Sequence, residues 1–438
     1  MKAILLVAGR SKRMKPIEDK NFLNFLGKPL IEHQIDALIR NGFDDLIIVG
    51  GKHNLDKVHT FVERKGLKNV HITEQKDLDG GSCAAILSAK EFINEEPILL
   101  LSGNDIVEDS SYELIKTAKE KEDADVYVIA KVIESYFPGG YLEVDENNYM
   151  KSIVEKPEPG TEPSNLINLV IHLHNNGKKL IEFLENASSE KDDLYEVALL
   201  NMAKSDMKVK VVNYPGFWHA VKFPWHAIKV FEFLFKKAEK KIAASAKISK
   251  NAIINGDVII GENVKIFDGA VVTGPCYIGD DSIIGTNALV RESHLGEKCV
   301  IGFGTEVARS FLCGNVWTHT NYIGDSLIGN DVSFGSGGVC ANLRLDEKNI
   351  IVEIEGNKVD TKTNKFGAVI GNNVRVGVNT SIMPGIKIGS GSFIGAGLVV
   401  AQNIPDGSFV KAEMKLNISE NREKADIESR NQNFQALK

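Results

Sequence analysis

Apolar residues follow two different rhythms along this chain, and the change falls near residue 246. Before it, short apolar runs at Ile4–Ala8, Leu46–Val49, Pro97–Leu101 and Asp125–Ala130 end in turn residues. The stretches between them read as amphipathic helices. Pro29–Arg40 carries Leu30, Ile31, Ile35, Leu38 and Ile39 on one stripe, with Gly42 as its stop; Cys83–Ile93 and Ser111–Lys121 follow the same rule. Apolar strands alternating with such helices predict a doubly wound, mostly parallel sheet. Ligands of such sheets sit at the carboxyl ends of the strands. Residues 224–245 predict one linker helix, with Pro224 suited to its first turn.

From 246 the period is six. Ile248, Ile253, Val258, Ile260, Val264 and Ile266 open a series that runs on to Ile394, with Gly or Asn-Gly in between. Apolar residues at i and i+6 with small corner residues are the mark of a parallel β-helix built from hexapeptides. Three units make a coil, and about eight coils stacked at ~4.8 Å give a prism of roughly 40 Å. Residues 343–366 interrupt the ladder, and Asn349–Val359 reads as an extruded hairpin. His319 falls in a loop-like break of the series. The chain therefore divides into an α/β domain at 1–223, the linker helix at 224–245, a β-helix at 246–412 and a polar tail at 413–438.

Composition narrows the function classes. A chain of 438 residues exceeds one core. A net charge of −7 gives no support for nucleic-acid binding. No apolar run reaches the roughly 18 residues that a membrane span needs. The five cysteines show no C-x-x-C spacing, which points to free thiols and a cytoplasmic location.

Chemistry is suggested at several points of the first half. Gly9 follows the first apolar run and opens a basic turn with Arg10, Lys12 and Arg13; backbone N–H groups in such a turn can cradle phosphates. Basic glycine turns are common, so the turn alone decides little. Further along come Lys20, then Gln75 ahead of Gly80-Gly81, then Gly103-Asn104-Asp105 at a strand end. Gly140, the pair Glu155-Lys156 before Pro157, and Asn168 complete the set. Glu155 and Lys156 could equally form an exposed ion pair worth under ~1 kcal/mol.

In this order the set resembles the sugar-1-phosphate nucleotidyltransferases across residues 1–235. The resemblance implies attack of a sugar phosphate on the α-phosphate of a nucleoside triphosphate, with Mg²⁺ as cofactor. It implies that Ala8, Gly9, Gln75, Gly80 and Gly81 hold the nucleotide, and that Arg13 and Lys20 act on its phosphates. Gly140, Glu155 and Asn168 would hold the sugar, Lys156 its phosphate, and Asp105 the metal. Ser11, Asn104, Val170 and Ala220 depart from the family pattern. Ala220 stands where a Trp-x-Asp motif places its carboxylate, and Mg²⁺ prefers carboxylate oxygens.

In the second half, His319-x-x-Tyr322-x-Gly324-Asp325 is the most specific element, with Arg291, Arg309 and Asn342 in neighbouring coils. A lone histidine is more often structural. A neutral imidazole is nonetheless well suited to take a proton from an amine. No second histidine is placed to activate Cys313 or Cys340, so both read as packing residues. Residues 246–405 resemble the acetyltransferase half of the bifunctional enzymes of UDP-N-acetylglucosamine synthesis, in their archaeal form. This implies a left-handed prism, acetyl transfer from acetyl-CoA to glucosamine 1-phosphate, and a homotrimer with its site between prisms. His319 would be the general base, with Arg291, Arg309, Tyr322, Ser333 and Asn342 around the acceptor and CoA. Ala308 and Ser333 depart from the pattern, replacing an expected lysine and asparagine. Two rival readings remain: an acetyltransferase with a decayed nucleotidyltransferase domain, and a non-catalytic scaffold that binds nucleotide sugar.

Overall fold

The computed structural model describes every residue except 192, 414, 423, 437 and 438. Among the described residues, nine strands form the first sheet. Lys2–Leu6 lies between Asp45–Gly51 and Ile98–Ser102, parallel to both, and Val70–Gln75 extends that parallel block. The long strand Leu166–His174 then runs antiparallel to Ile98–Ser102, Val126–Val132 and Gly140–Val144.

The central strands carry apolar residues on both faces, at 3–6, 46–49 and 98–101, because both sheet faces are covered. Ala3 and Leu5 point to one core, shared with Ile31, Ile35 and Leu38 of helix Leu30–Arg40. Ile4 points to the other, shared with Ile86 of Gly81–Leu87 and with Leu180 and Leu199 of the later helices. The expected helix Cys83–Ile93 is shorter than its apolar pattern. It ends at Leu87, and a separate turn Lys90–Phe92 follows. The Ser88 hydroxyl donates to the Ala85 carbonyl at 2.7 Å, drawing on the acceptors that an extended helix needs.

The linker helix is also shorter than expected, spanning His226–Lys237. Lys240 folds back and donates Nζ to the carbonyls of Phe235 and Ala238, which satisfies the helix end. The chain then enters the first coil, where Ile242 bridges Ile260.

The second half is a three-faced parallel prism of hexapeptide coils, as expected from the period of six, and is the left-handed β-helix architecture that the family resemblance implied. One face stacks eight strands, from Ile253–Asn255 to Val399–Val400. Val272, Val290, Val307, Ile323, Cys340 and Ile382 fill the interior from that face. The expected break at His319 is not one. Trp317 bridges Val300 in one direction and Ser333 in the other, so the ladder runs through. The periodicity hides this because buried Thr318 stands level with the inward Ile301 and Phe334 of the adjoining coils. The hairpin does interrupt the series, as Ile351–Ile354 paired with Asn357–Asp360.

The two halves share a core. Ile259, Tyr277, Phe311, Leu327 and Val369 lie on the outer surface of one prism face, yet all are buried. They pack against Phe25, Leu30 and Phe231 of the first half and against Ile350, Val352 and Phe366 of the hairpin region. Near the end of the chain, the helix Ile427–Ala436 is exposed throughout.

Candidate functional site

The turn after the first strand is built as a cradle. Ser11 adopts the left-handed conformation, and its hydroxyl accepts the Lys20 N–H at 3.3 Å. Asp19 accepts from the Asn21 backbone at 2.9 Å and from Asn54 Nδ2 at 2.7 Å, and Asn54 also donates to the Val7 carbonyl. This network holds Lys20 under the turn. Burial, with Arg13 nearby, pushes the Lys20 ammonium down to about 8. Arg13 itself lies over the Phe223 ring at 5.8 Å. Opposite, Arg10 pairs with Asp79 and so ties the turn to the loop that carries Gly80.

Gln75 is buried, and its side-chain nitrogen donates to the carbonyls of Asp77 and Gly81 at 2.7 and 2.9 Å. Two carbonyl partners fix the amide orientation. Both amide hydrogens are spent on the loop, so only the oxygen remains for a ligand.

The structure brings the expected sugar residues together. A Cβ on Gly140 would lie 3.1 Å from Glu155 Oε2 and 3.5 Å from Asn168 Cβ, so only glycine leaves that space open. Lys156 pairs with Glu155 at 3.1 Å. Behind Asn168 runs a buried relay that sequence reading missed. His172 Nε2 lies 2.7 Å from Asn168 Oδ1, and its Nδ1 lies 2.5 Å from the Tyr195 hydroxyl. The same hydroxyl is 3.2 Å from His174 Nε2. Burial holds both imidazoles below their ordinary value and therefore neutral. One proton arrangement satisfies every group: His174 donates to Tyr195, Tyr195 to His172, and His172 to Asn168.

Asp105 faces Ala220 across a two-stranded ribbon. Its carboxylate accepts the Trp218 indole N–H at 2.8 Å and a backbone hydrogen bond from Val170. Burial raises its affinity for a proton. Asn104 contributes its carbonyl to the Val221 N–H. This donor set does not suit the expected Mg²⁺. One engaged carboxylate remains, its register partner is a methyl group, and the Lys222 ammonium lies in the same electrostatic neighbourhood. Among the described residues, no group of three His, Cys, Asp or Glu is placed to hold a metal ion.

On the prism, His319 occupies the corner taken by Gly302 and Gly335 in the coils on either side. A Cβ on Gly302 would sit 2.3 Å from the His319 carbonyl oxygen, which shows how closely the corners stack. The His319 side chain is exposed. Asn321 holds the corner: Oδ1 accepts the His319 N–H at 2.7 Å, and Nδ2 donates to the Gly335 and Gly338 carbonyls.

Arg309 grips Asp325 with two hydrogen bonds, at 2.7 and 2.8 Å, and Asn342 donates to the same carboxylate. The Tyr322 hydroxyl and Asn342 crowd the same side of Gly324. Arg291 instead binds Glu306 at 2.7 Å. Ser333 sits level with Trp317 on the adjoining face. The acceptor-site residues thus form two groups on either side of one strand rather than one enclosed pocket. Asn321 and Glu306 are contributors that the motif did not single out, and Asp325, which the motif contains without a stated role, is the carboxylate that holds Arg309 and Asn342. The five thiols are buried and unpaired, and burial pushes those of Cys299, Cys313 and Cys340 up to about 12, as expected of packing residues.

Three family models match the chain. One described as nucleotidyl transferase covers residues 2–221, one described as GMPPB C-terminal domain covers 237–359, and one described as bacterial transferase hexapeptide covers 367–402. A bifunctional sugar-1-phosphate nucleotidylyltransferase/acetyltransferase of Sulfurisphaera tokodaii is 37% identical over 420 residues, spanning 94% of this chain and 100% of its own. The bifunctional protein GlmU of Methanocaldococcus jannaschii is 30% identical, spanning 94% of this chain and 97% of its own. That of Methanococcus maripaludis is 33% identical, spanning 96% and 100%.

Proposed function

Because the chain belongs to the family of bifunctional sugar-1-phosphate nucleotidylyltransferases/acetyltransferases of GlmU type, we propose that it acetylates glucosamine 1-phosphate and then converts the product into UDP-N-acetylglucosamine. The co-substrates are acetyl-CoA and UTP.

In the first reaction the sugar amine attacks the thioester carbonyl of acetyl-CoA. His319 takes the amine proton, and the C–S bond breaks to release the CoA thiol. Tyr322 and Asn342 face the developing oxyanion and the sugar, with Arg291 and Arg309 toward the phosphate. Ser333 lies on the acetyl side. An exposed imidazole on a rigid corner is the observation that carries this reading. It also supports a homotrimer. Phe267, Phe303 and Trp317 are exposed apolar residues at or beside the same corner of the prism, which a neighbouring prism would cover while completing the site.

In the second reaction a phosphate oxygen of the sugar attacks the α-phosphorus of the triphosphate, and pyrophosphate leaves. The chemistry is positioning and charge neutralisation. Gly140, Glu155 and Asn168 hold the sugar and Lys156 its phosphate. Arg13 and Lys20 hold the triphosphate against Ala8 and Gly9. The Gln75 oxygen accepts from the base, which suits a pyrimidine bearing a ring N–H, and Gly80 and Gly81 line the base beside it. Free buried thiols accord with a cytoplasmic site of action. A second reading, acetyl transfer with a silent first domain, is favoured by Ala220 opposite Asp105.

One assay separates them. Purified protein receives glucosamine 1-phosphate, acetyl-CoA, UTP and Mg²⁺, and free thiol and pyrophosphate are followed separately. Both signals are expected. Thiol without pyrophosphate would leave the second reading, and neither would leave a non-catalytic scaffold.

A further inference from the structure

Lys222 follows two residues after the position where the family pattern expects a carboxylate, and its side chain is half-buried beside the first cleft. Its Nζ donates to the Pro138 carbonyl and lies 4.1 Å from the centroid of the Phe137 ring. An ammonium has three hydrogens, and the Pro138 carbonyl takes one. Four charged side chains lie within electrostatic reach of it. Arg13 stands on the nucleotide side, Glu155 and Lys156 on the sugar side, and Asp105 below. Lys222 therefore sits where phosphates of both substrates converge. Asp105, the carboxylate closest to the expected metal position, is engaged by Trp218 and Val170 and faces Ala220. The same cleft thus has a methyl group where the pattern expects a carboxylate, and a lysine two residues on.

We propose that the Lys222 ammonium does at this site what a protein-bound divalent cation does elsewhere: it neutralises the triphosphate and the attacking sugar phosphate where they meet. With Arg13 and Lys20, it makes a three-cation cradle of purely side-chain charge. Such a cradle binds a nucleoside triphosphate without a metal held by the protein. Burial, with Arg13 beside it, pushes the Lys222 ammonium down to about 7, so the charge is held at a cost that a bound phosphate relieves.

The inference rests on the nucleotide-binding reading of this cleft, and its test separates the two. UTP is titrated into the full-length protein by calorimetry, once in EDTA and once in Mg²⁺. The other three ribonucleoside triphosphates are then tried in the same way. Lys222→Met and the double variant Ala220→Asp/Lys222→Met are treated alike. Acetyl transfer, at a site that Lys222 does not enter, reports that each variant is folded.

The wild type is expected to bind in EDTA within about threefold of its affinity in Mg²⁺. Lys222→Met is expected to lose about tenfold in EDTA, the scale of one charge-assisted hydrogen bond. The double variant is expected to recover binding only with Mg²⁺. Binding in EDTA that depends on Lys222 supports the proposal even where no pyrophosphate is released. Strict dependence of wild-type binding on Mg²⁺, or unchanged binding in Lys222→Met, overturns it while leaving nucleotidyl transfer intact. Failure to bind any of the four nucleotides overturns both. If Lys222→Met does not fold, the wild-type comparison of EDTA with Mg²⁺ still decides the question.

Discussion

The backbone N–H of Leu26 donates to Nε2 of His294 at 3.1 Å, joining the two halves of the molecule across 268 residues of sequence. The imidazole lies flat on Phe311, with centroids 4.1 Å apart, and its Nδ1 hydrogen goes to the Leu312 carbonyl. A ring held this way must be neutral, because Nε2 has to accept.

Acid should therefore loosen the joint. Burial pushes His294 down to about 3, against an ordinary value of 6.5. The unfolded chain binds this proton first, so the contribution is complete above pH 6.5 and is lost as pH falls toward 3. His174 and His226, also near 3, act in the same direction. His294→Phe keeps the stacking but strands the Leu26 N–H, at about 1–3 kcal/mol near pH 7.5, while the Leu312 carbonyl keeps the Gly296 N–H. Denaturant unfolding between pH 4.5 and 8 should show a lower plateau and a shallower acid slope for the variant. Parallel curves would show that His294 is not what acid attacks.

His319→Ala should abolish most acetyl transfer, by about 10²- to 10⁴-fold in kcat, the range for a lost general base. Pyrophosphate release from N-acetylglucosamine 1-phosphate should be unchanged. Stability should move by less than about 0.5 kcal/mol, as for an exposed position without packing duties. His319→Gly should behave the same way, since Gly302 and Gly335 already occupy the equivalent corners. Acetyl transfer that survives both changes would assign the proton to another group.

His172→Phe should act through Asn168. The relay fixes the Asn168 amide with its oxygen toward His172, leaving the NH₂ for the sugar. Without that partner the amide is free to turn. The KM for the sugar phosphate should rise about tenfold, the equivalent of one hydrogen bond of ~1–1.5 kcal/mol. The KM for the nucleotide should not change. An equal rise in both constants would mean general damage to the domain.

Arg309→Lys should weaken acetyl transfer and stability together. A lysine cannot reproduce the two-pronged grip on Asp325, which also anchors Asn342. Thermal unfolding should report a loss of about 1–2 kcal/mol, in line with a charge-assisted hydrogen bond. Asp325→Asn should give the same acetyl-transfer defect. A full defect in one variant beside none in the other would separate Arg309 from this network.

Some of this was readable residue by residue. The period of six between Ile248 and Ile394 determined a prism, since an apolar residue at every sixth place can be buried continuously in few other ways. Apolar runs at Ile4 and Leu46 determined buried strands for a similar local reason. Motif order located Gly140, Glu155 and Asn168, which the fold brings within contact of one another. What the sequence could not carry is depth and distance. His294 reads as a polar blemish in a repeat until the first half of the chain is laid over it. His172 and Lys222 look like ordinary polar residues until burial strips them of water and makes their partners matter. Even the corner of His319 read as a break, because the Thr318 that holds the ladder there is polar. Periodicity is a local property and survives in one dimension. Which polar groups are desolvated, and against what, depends on segments hundreds of residues apart, and only the tertiary structure decides it.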